Sequence, residues 1–114
     1  MGFHEKKFCA LTGLMHDQKD NLFYGEIATY PVSIQYNKRR NLLVCRIACK
    51  PDAEQSAAQL QQDLERFRLN RSGIAQIQYQ KHAIAAVIAI PSLKSDQSAE
   101  ENLRALVQLA ASLR

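Results

Sequence analysis

The sequence predicts an α+β fold, a two-layer sandwich whose mostly antiparallel sheet runs in the order β-β-β(-β)-α-β-β-α and carries both helices on one face. Three observations predict it. Apolar residues recur at period two through the first half of the chain and at about 3.6 after Pro51. Period two returns between Ala75 and Tyr79, followed by the apolar run Ala83 to Ile90. The last stretch, from Ser98, is again amphipathic at helical spacing.

Taken in order, Lys7 to Met15 is the candidate for a fourth strand, with Asp17 to Asn21 as its turn, although Gly13 interrupts the alternation. Leu22 to Tyr30 is rich in aromatic and β-branched residues and ends at Pro31, which cannot donate to a ladder and so marks a strand break or an edge. Val32, Ile34 and Tyr36 alternate with Ser33, Gln35 and Asn37, and Leu43, Cys45, Ile47 and Cys49 do the same in the next segment. The polar Lys38-Arg39-Arg40 between them reads as a hairpin loop, so the two strands are antiparallel neighbours.

At Pro51 the period changes. Asp52 can cap a helix, Gln55 stands at the capping-box position, and Ala57, Leu60, Leu64 and Phe67 form one stripe that ends near Gly73. Ala75, Ile77 and Tyr79 then face one way against Gln76, Gln78 and Gln80. Lys81 and His82 link this strand to Ala83–Ile90, which is apolar on both faces and belongs in the middle of the sheet. Ser98 and Glu101 suggest a second capping box, and Ala99, Leu103, Leu106, Val107, Ala110 and Leu113 line a closing helix.

The 114 residues, 46% hydrophobic and 23% charged, fit a single domain over 1–114. The longest uninterrupted apolar run has eight residues, where a membrane-spanning helix needs about 20, so this segment is not expected to insert in a membrane. No apolar leader follows the N-terminus, and a cytoplasmic location is expected. The final helix reaches Arg114 without Gly, Asn or Pro to stop it, which is compatible with an N-terminal piece of a longer protein.

Little in the sequence points to chemistry. Cys45 and Cys49 lie roughly 13 Å apart on a strand at 3.3 Å per residue, too far for a shared zinc or a disulfide, and read as buried free thiols. Cys9 with His4 or His16 matches no ligand spacing. The histidines fall in segments read as terminus or loop, the acidic residues gather at helix starts, and the four glycines are isolated. No catalytic residue, cofactor site or metal site is therefore predicted, and the chain is not expected to be an enzyme.

Charge offers a candidate surface. The chain carries +4, and all of that excess lies in residues 1–50, with eight basic and four acidic residues. Lys38, Arg39, Arg40, Arg46 and Lys50 form the candidate basic patch, with Tyr30 or Tyr36 as a stacking surface for a base. Tyr36 reads as inward-facing, and basic hairpin tips also discourage sheets from pairing edge to edge. The candidate edge for a partner is Tyr24, Tyr30 and Pro31, together with the segment Phe8 to Leu14, which could pair in trans.

The order of three strands, a helix, two strands and a helix over about residues 22–114 resembles the core of dimeric secretion chaperones that bind effector segments. The resemblance implies a protein partner or a homodimer. It rests on no motif, no leading helix is read here, and the basic charge departs from their typically acidic surface, so no residue roles follow from it. The resulting expectation is a non-catalytic protein-interaction or self-association domain, as an accessory domain of a larger bacterial protein. The alternatives are a basic nucleic-acid-binding module and a small enzyme with no recognisable motif.

Overall fold

The computed structural model describes residues 3–51 and 53–113. Its elements are α1 (Glu5–Thr12), β1 (Met15–Asp17), β2 (Leu22–Ile27), β3 (Tyr30–Asn37), β4 (Leu42–Ala48), α2 (Ala57–Leu69), β5 (Ile74–Gln80), β6 (Ala83–Ala89) and α3 (Asp96–Ser112), with a 3-10 turn over Ile90–Ser92. The six strands form one sheet in the order β1-β2-β3-β4-β6-β5, antiparallel throughout. This is the two-layer α+β sandwich that the periodicity predicts, with a third helix added. As expected, the apolar β6 is an interior strand, held between β4 and β5.

The inner face is built from Phe23, Ile34, Leu43, Cys45, Ile47, Ile84, Ala86 and Ile88, each at most 1% exposed. The register places Cys45 opposite both Ile34 and Ala86, so one row of the core crosses three strands. On the helical side Ala99, Leu103, Leu106, Val107, Ala110 and Leu113 are all buried, as are Leu60 and Leu64 of α2. Burial of this kind contributes about 1.5–3 kcal/mol for each large aliphatic side chain and is the main reason the layers stay together.

The largest correction concerns the N-terminus. Residues 5–12 form α1 rather than a strand, so Phe8 to Leu14 offers no backbone for pairing in trans. The buried residues here are Phe8 and Thr12, four apart on one helical face, and an inner-face aromatic group receives Phe8. The Phe8 ring packs on Phe23 at 5.1 Å, and Phe3 packs on Tyr36 at 5.0 Å. Gly13, at φ +77, ends the helix in the left-handed conformation and donates its N–H to the carbonyl of Cys9. Only the three residues of β1 follow before the turn.

Pro31 is no break. Ala28 (φ +51) and Thr29 (φ +72) make a tight turn that pairs Ile27 with Tyr30, and β3 runs straight through Pro31. The ladder with β4 begins one residue later, at Val32 opposite Ile47, so the missing proline N–H falls outside that ladder. Lys81 (φ +52) and His82 (φ +60) repeat the same geometry between β5 and β6.

Both helix starts also shift. The Asp52 cap lies outside the described residues, and α2 begins at Ala57, where the Ser56 hydroxyl accepts the Gln59 N–H at 3.1 Å. Gln55 instead donates its side-chain amide to Asp63 at 2.9 Å. In α3 the cap is Ser95, one turn before the expected Ser98, and it is the N–H of Ser98 that the Ser95 hydroxyl accepts. In each case a serine just upstream reaches the orphan amide three residues on, and that geometry outweighs the more distant carboxamide or carboxylate.

Candidate interaction surfaces

The cations of the basic patch are not brought together. Lys38, Arg39 and Arg40 occupy the turn between β3 and β4, where the Asn37 carboxamide oxygen accepts the Arg40 N–H at 3.0 Å and Asn41 closes the loop at φ +57. Lys38 is already paired, its Nζ 3.3 Å from Glu5 Oε1. Arg46 lies on the outer face in the middle of β4, five residues past Asn41, and Lys50 follows the opposite end of the strand. At about 3.3 Å per residue the patch is drawn out along roughly 30 Å of strand. Tyr36, 9% exposed, is closed off as a stacking surface, as expected.

Nor do the proposed edge residues mark an edge. Tyr24 sits in β2, which is covered by β1 from Leu22 to Tyr24, and Tyr30 and Pro31 open β3, an interior strand. The sheet ends at β1 on one side and at β5 on the other.

The two edges differ. β1 is short and tethered: His16 stacks on Phe23 with ring centroids 4.3 Å apart, and its Nε2 lies 3.3 Å from Glu5 Oε2 without the alignment of a hydrogen bond. Glu5 thus stands between His16 and Lys38 and ties α1 to β1 and to the β3–β4 turn. His16 therefore belongs to a strand and not to a loop.

β5 is longer and bare. A register irregularity at Ala75 is followed by Gln76 to Gln80, which pair regularly with β6 and carry no charge. Gln76, Gln78 and Gln80 are exposed on the outer face, and Glu65 and Arg68 of α2, an ion pair with each other, line a groove of about 550 Å³ with them. Leu69, one helical turn from Glu65, is 71% exposed. This side chain and the bare strand beside its helix were missed in the sequence. Leu69 lies outside the Leu60–Leu64–Phe67 stripe, and an apolar residue at an off-stripe position next to a helix end is the signal that could have found it.

The thiols and histidines make no reactive constellation. Burial pushes the Cys45 thiol up to about 12. Cys49 is raised by burial too, although the Ile84 N–H opposes the shift. Cys9 is raised by burial and then by the Glu5 carboxylate. A low-pKa thiolate is the nucleophile in cysteine chemistry, so these environments work against it. The Tyr79 hydroxyl lies 3.3 Å from His82 Nδ1 at the exposed end of the β5–β6 hairpin, raised first by burial and then by Cys49. Among the described residues no group of three or more His, Cys, Asp or Glu could hold a metal, and no helix is long and apolar enough to cross a membrane.

A second concavity, of about 750 Å³, opens between the ends of α2 and α3. Phe67, Leu109 and Leu113 line it with Asp63, Arg66 and Arg71. Glu54, Gln55, Asn70 and Ser112 complete the lining.

No protein-family model matches the sequence, and no curated protein resembles it in sequence. The fold does have solved counterparts. A chain in the HopA1–SchA chaperone–effector complex superposes with a TM-score of 0.69 at 16% identity, over 95% of this chain and 88% of that one. A chain in the crystal structure of the Yersinia pestis type III secretion chaperone SycH with a stable fragment of YscM2 gives 0.68 at 18% identity, over 96% and 95%. The leading helix that the element order lacked is present as α1, and the match extends over nearly the whole chain. The chain therefore has the fold found in these two chaperone complexes.

Proposed function

We propose that this domain is a non-catalytic, cytoplasmic protein-interaction module that self-associates through the open edge of β5, alone or as an accessory domain of a larger bacterial protein. The observation that carries the reading is the bare stretch Gln76–Gln80. Sheets ordinarily blunt their edges with Lys, Pro, bulges or a covering segment, because unpaired backbone groups invite another strand. Here the irregularity at Ala75 and the flanking Glu65–Arg68 pair of α2 temper the edge, and no Lys, Arg or Pro stands in the strand itself. In a two-fold antiparallel pair centred on Gln78, Gln76 meets Gln80 of the copy, and carboxamides both donate and accept. Leu69 on the flanking helix supplies an apolar anchor. Two proteins of this fold, in structures solved with an effector and with a fragment of YscM2, lend further support. The nucleic-acid alternative is weakened by the spread of its five cations.

Sedimentation velocity over a concentration series tests this. A dimer burying on the order of 1,000 Å² or more in total is expected. Leu69→Asp combined with Gln78→Lys should weaken it at least about tenfold while the circular dichroism spectrum stays unchanged. A chain that stays monomeric throughout, or a dimer indifferent to both substitutions, contradicts the reading.

A further inference from the structure

The five cations read from the sequence are drawn out along a strand, but the fold assembles a different basic cluster. Lys19 stands in the turn between β1 and β2, and Lys38, Arg39 and Arg40 stand in the turn between β3 and β4. The register puts both turns at one end of the sheet, with Leu22 opposite Gln35 and Asn37 opposite Leu42. The Asn21 carbonyl accepts the Tyr36 N–H at 2.9 Å, which holds the first turn against the end of β3. The first turn of α1 lies there too, because Glu5 is 3.3 Å from both His16 Nε2 and Lys38 Nζ, and it adds Lys6 and Lys7.

All six cations are exposed, and against the three carboxylates Glu5, Asp17 and Asp20 they leave this end with +3 of the chain's +4. Two of those carboxylates are engaged within the cluster, Glu5 with Lys38 and Asp17 as acceptor of the Lys19 N–H at 3.0 Å. Strands lie about 4.8 Å apart, so the two turns are centred two spacings, or about 10 Å, from each other. That is close to the width of about 12 Å that the major groove of B-DNA holds between its two backbones. Among the described residues no large apolar side chain is exposed in either turn or in the first turn of α1, and Phe3 and Tyr36 pack on each other at 5.0 Å. Binding a single strand takes an aromatic platform, and lying on a membrane takes an apolar face. Phosphate contact on a duplex takes neither.

We infer that this end of the sandwich is a docking surface for the phosphate backbone of double-stranded DNA, bound without regard to sequence. Lys19 contacts the backbone on one side of the groove, Arg39 and Arg40 contact the backbone on the other, and Lys6 and Lys7 reach neighbouring phosphates. Lys38 stays with Glu5. The surface uses neither the β5 edge nor Leu69, so the inference goes beyond self-association and stands or falls separately from it.

The test is fluorescence anisotropy of a labelled DNA duplex of about 20 base pairs and arbitrary sequence, titrated with the full chain at about 50 and 200 mM salt. Neutralising about four phosphates should weaken binding about 150-fold between the two salts, a log-log slope near −3.6. Lys19→Glu combined with Arg39→Glu, one exposed position in each turn, should weaken binding at low salt at least about tenfold and flatten the slope by about 2. Lys50→Glu combined with Lys81→Glu makes the same change of net charge at the opposite end of the sheet, after β4 and in the β5–β6 turn. That pair should leave the affinity within about threefold, since charges beyond the screening length of about 10 Å count for little. Equal losses from the two pairs would show that net charge and not this surface attracts the DNA. That result overturns the inference, as does no binding at low salt, or binding as tight to a single strand of the same length or to vesicles of anionic lipid.

Discussion

Leu14 closes over Gly25: a β-carbon at Gly25 would stand 3.1 Å from Leu14 Cδ2 and 3.8 Å from its Cα. Gly25 also holds φ +147, a conformation that side chains rarely adopt. The contact sets the path by which the chain leaves α1 and enters β1, since Leu14 is the single residue between Gly13 and Met15.

Gly25→Ala should therefore destabilise the fold by about 1–3 kcal/mol, from backbone strain and overpacking together. Urea denaturation measures it. In a Leu14→Ala background the cost should shrink but stay positive, because shortening Leu14 relieves the contact and leaves the φ angle. An equal cost in both backgrounds would show that Leu14 has no part in it.

This corner also shows where the sequence was legible. β3, β4, β6, the body of α3 and β5 beyond the irregularity at Ala75 were read correctly because each carries its own strong period. Residues 5–17 have too few apolar positions to separate period two from 3.6 over a short helix and a three-residue strand. Their structure is decided by the Phe8–Phe23 contact and by Leu14 on Gly25, which link residues far apart in sequence. The capping serines Ser56 and Ser95 were passed over because stronger-looking boxes stood nearby.

Asn102 is the buried polar residue of α3, 5% exposed, and it joins the helix to the α2–β5 connection. Its Nδ2 donates to the Ser72 carbonyl at 3.1 Å, and its Oδ1 accepts from Arg71 Nε at 3.1 Å. Asn102→Ala removes both hydrogen bonds from a buried position and should cost about 1–2 kcal/mol by denaturant unfolding. Arg71→Ala, which removes the more exposed partner, should cost less. The reverse order would mean that the Arg71 contacts, including its cation–π approach to Phe67 at 5.6 Å, dominate.

Cys45 predicts an alkaline limit to stability. Its thiol ordinarily titrates near 9.0 and in the fold is pushed up to about 12 by burial. The unfolded chain releases this proton above about pH 9 and the folded chain keeps it. Its contribution is thus complete below pH 9 and is lost as pH rises from 9 towards 12, with a slope of up to about 1.4 kcal/mol per pH unit. Thermal melts of the wild type and Cys45→Ala should converge and then cross within that window, from an initial packing deficit of about 1–2 kcal/mol in the variant. Below pH 9, Ellman's reagent should label the half-exposed Cys9 well before Cys45 or Cys49. Parallel melting curves up to pH 11 would contradict this account.

The candidate surfaces were less legible than the fold. Arg46 and Lys50 could be assigned to the outer side of a strand region from period alone, but which strands end the sheet depends on β6 inserting between β4 and β5 and on β1 covering β2. The same insertion leaves β5 bare, so neither Gln78 nor Leu69 could be recognised before the strand order was known. The Glu5–Lys38 pair, joining residues 33 positions apart, likewise removes a cation that the sequence counted as available.

The central claim is that the edge of β5 is where this protein meets another copy, and amide hydrogen exchange measured residue by residue at low and high protein concentration tests it most directly. The account predicts that, within Ile74–Gln80, the amides not bonded to β6 gain protection as concentration rises. Those of Met15–Asp17 should exchange at an unchanged rate. Exchange along β5 that is independent of concentration, or protection that grows at β1 instead, would contradict it.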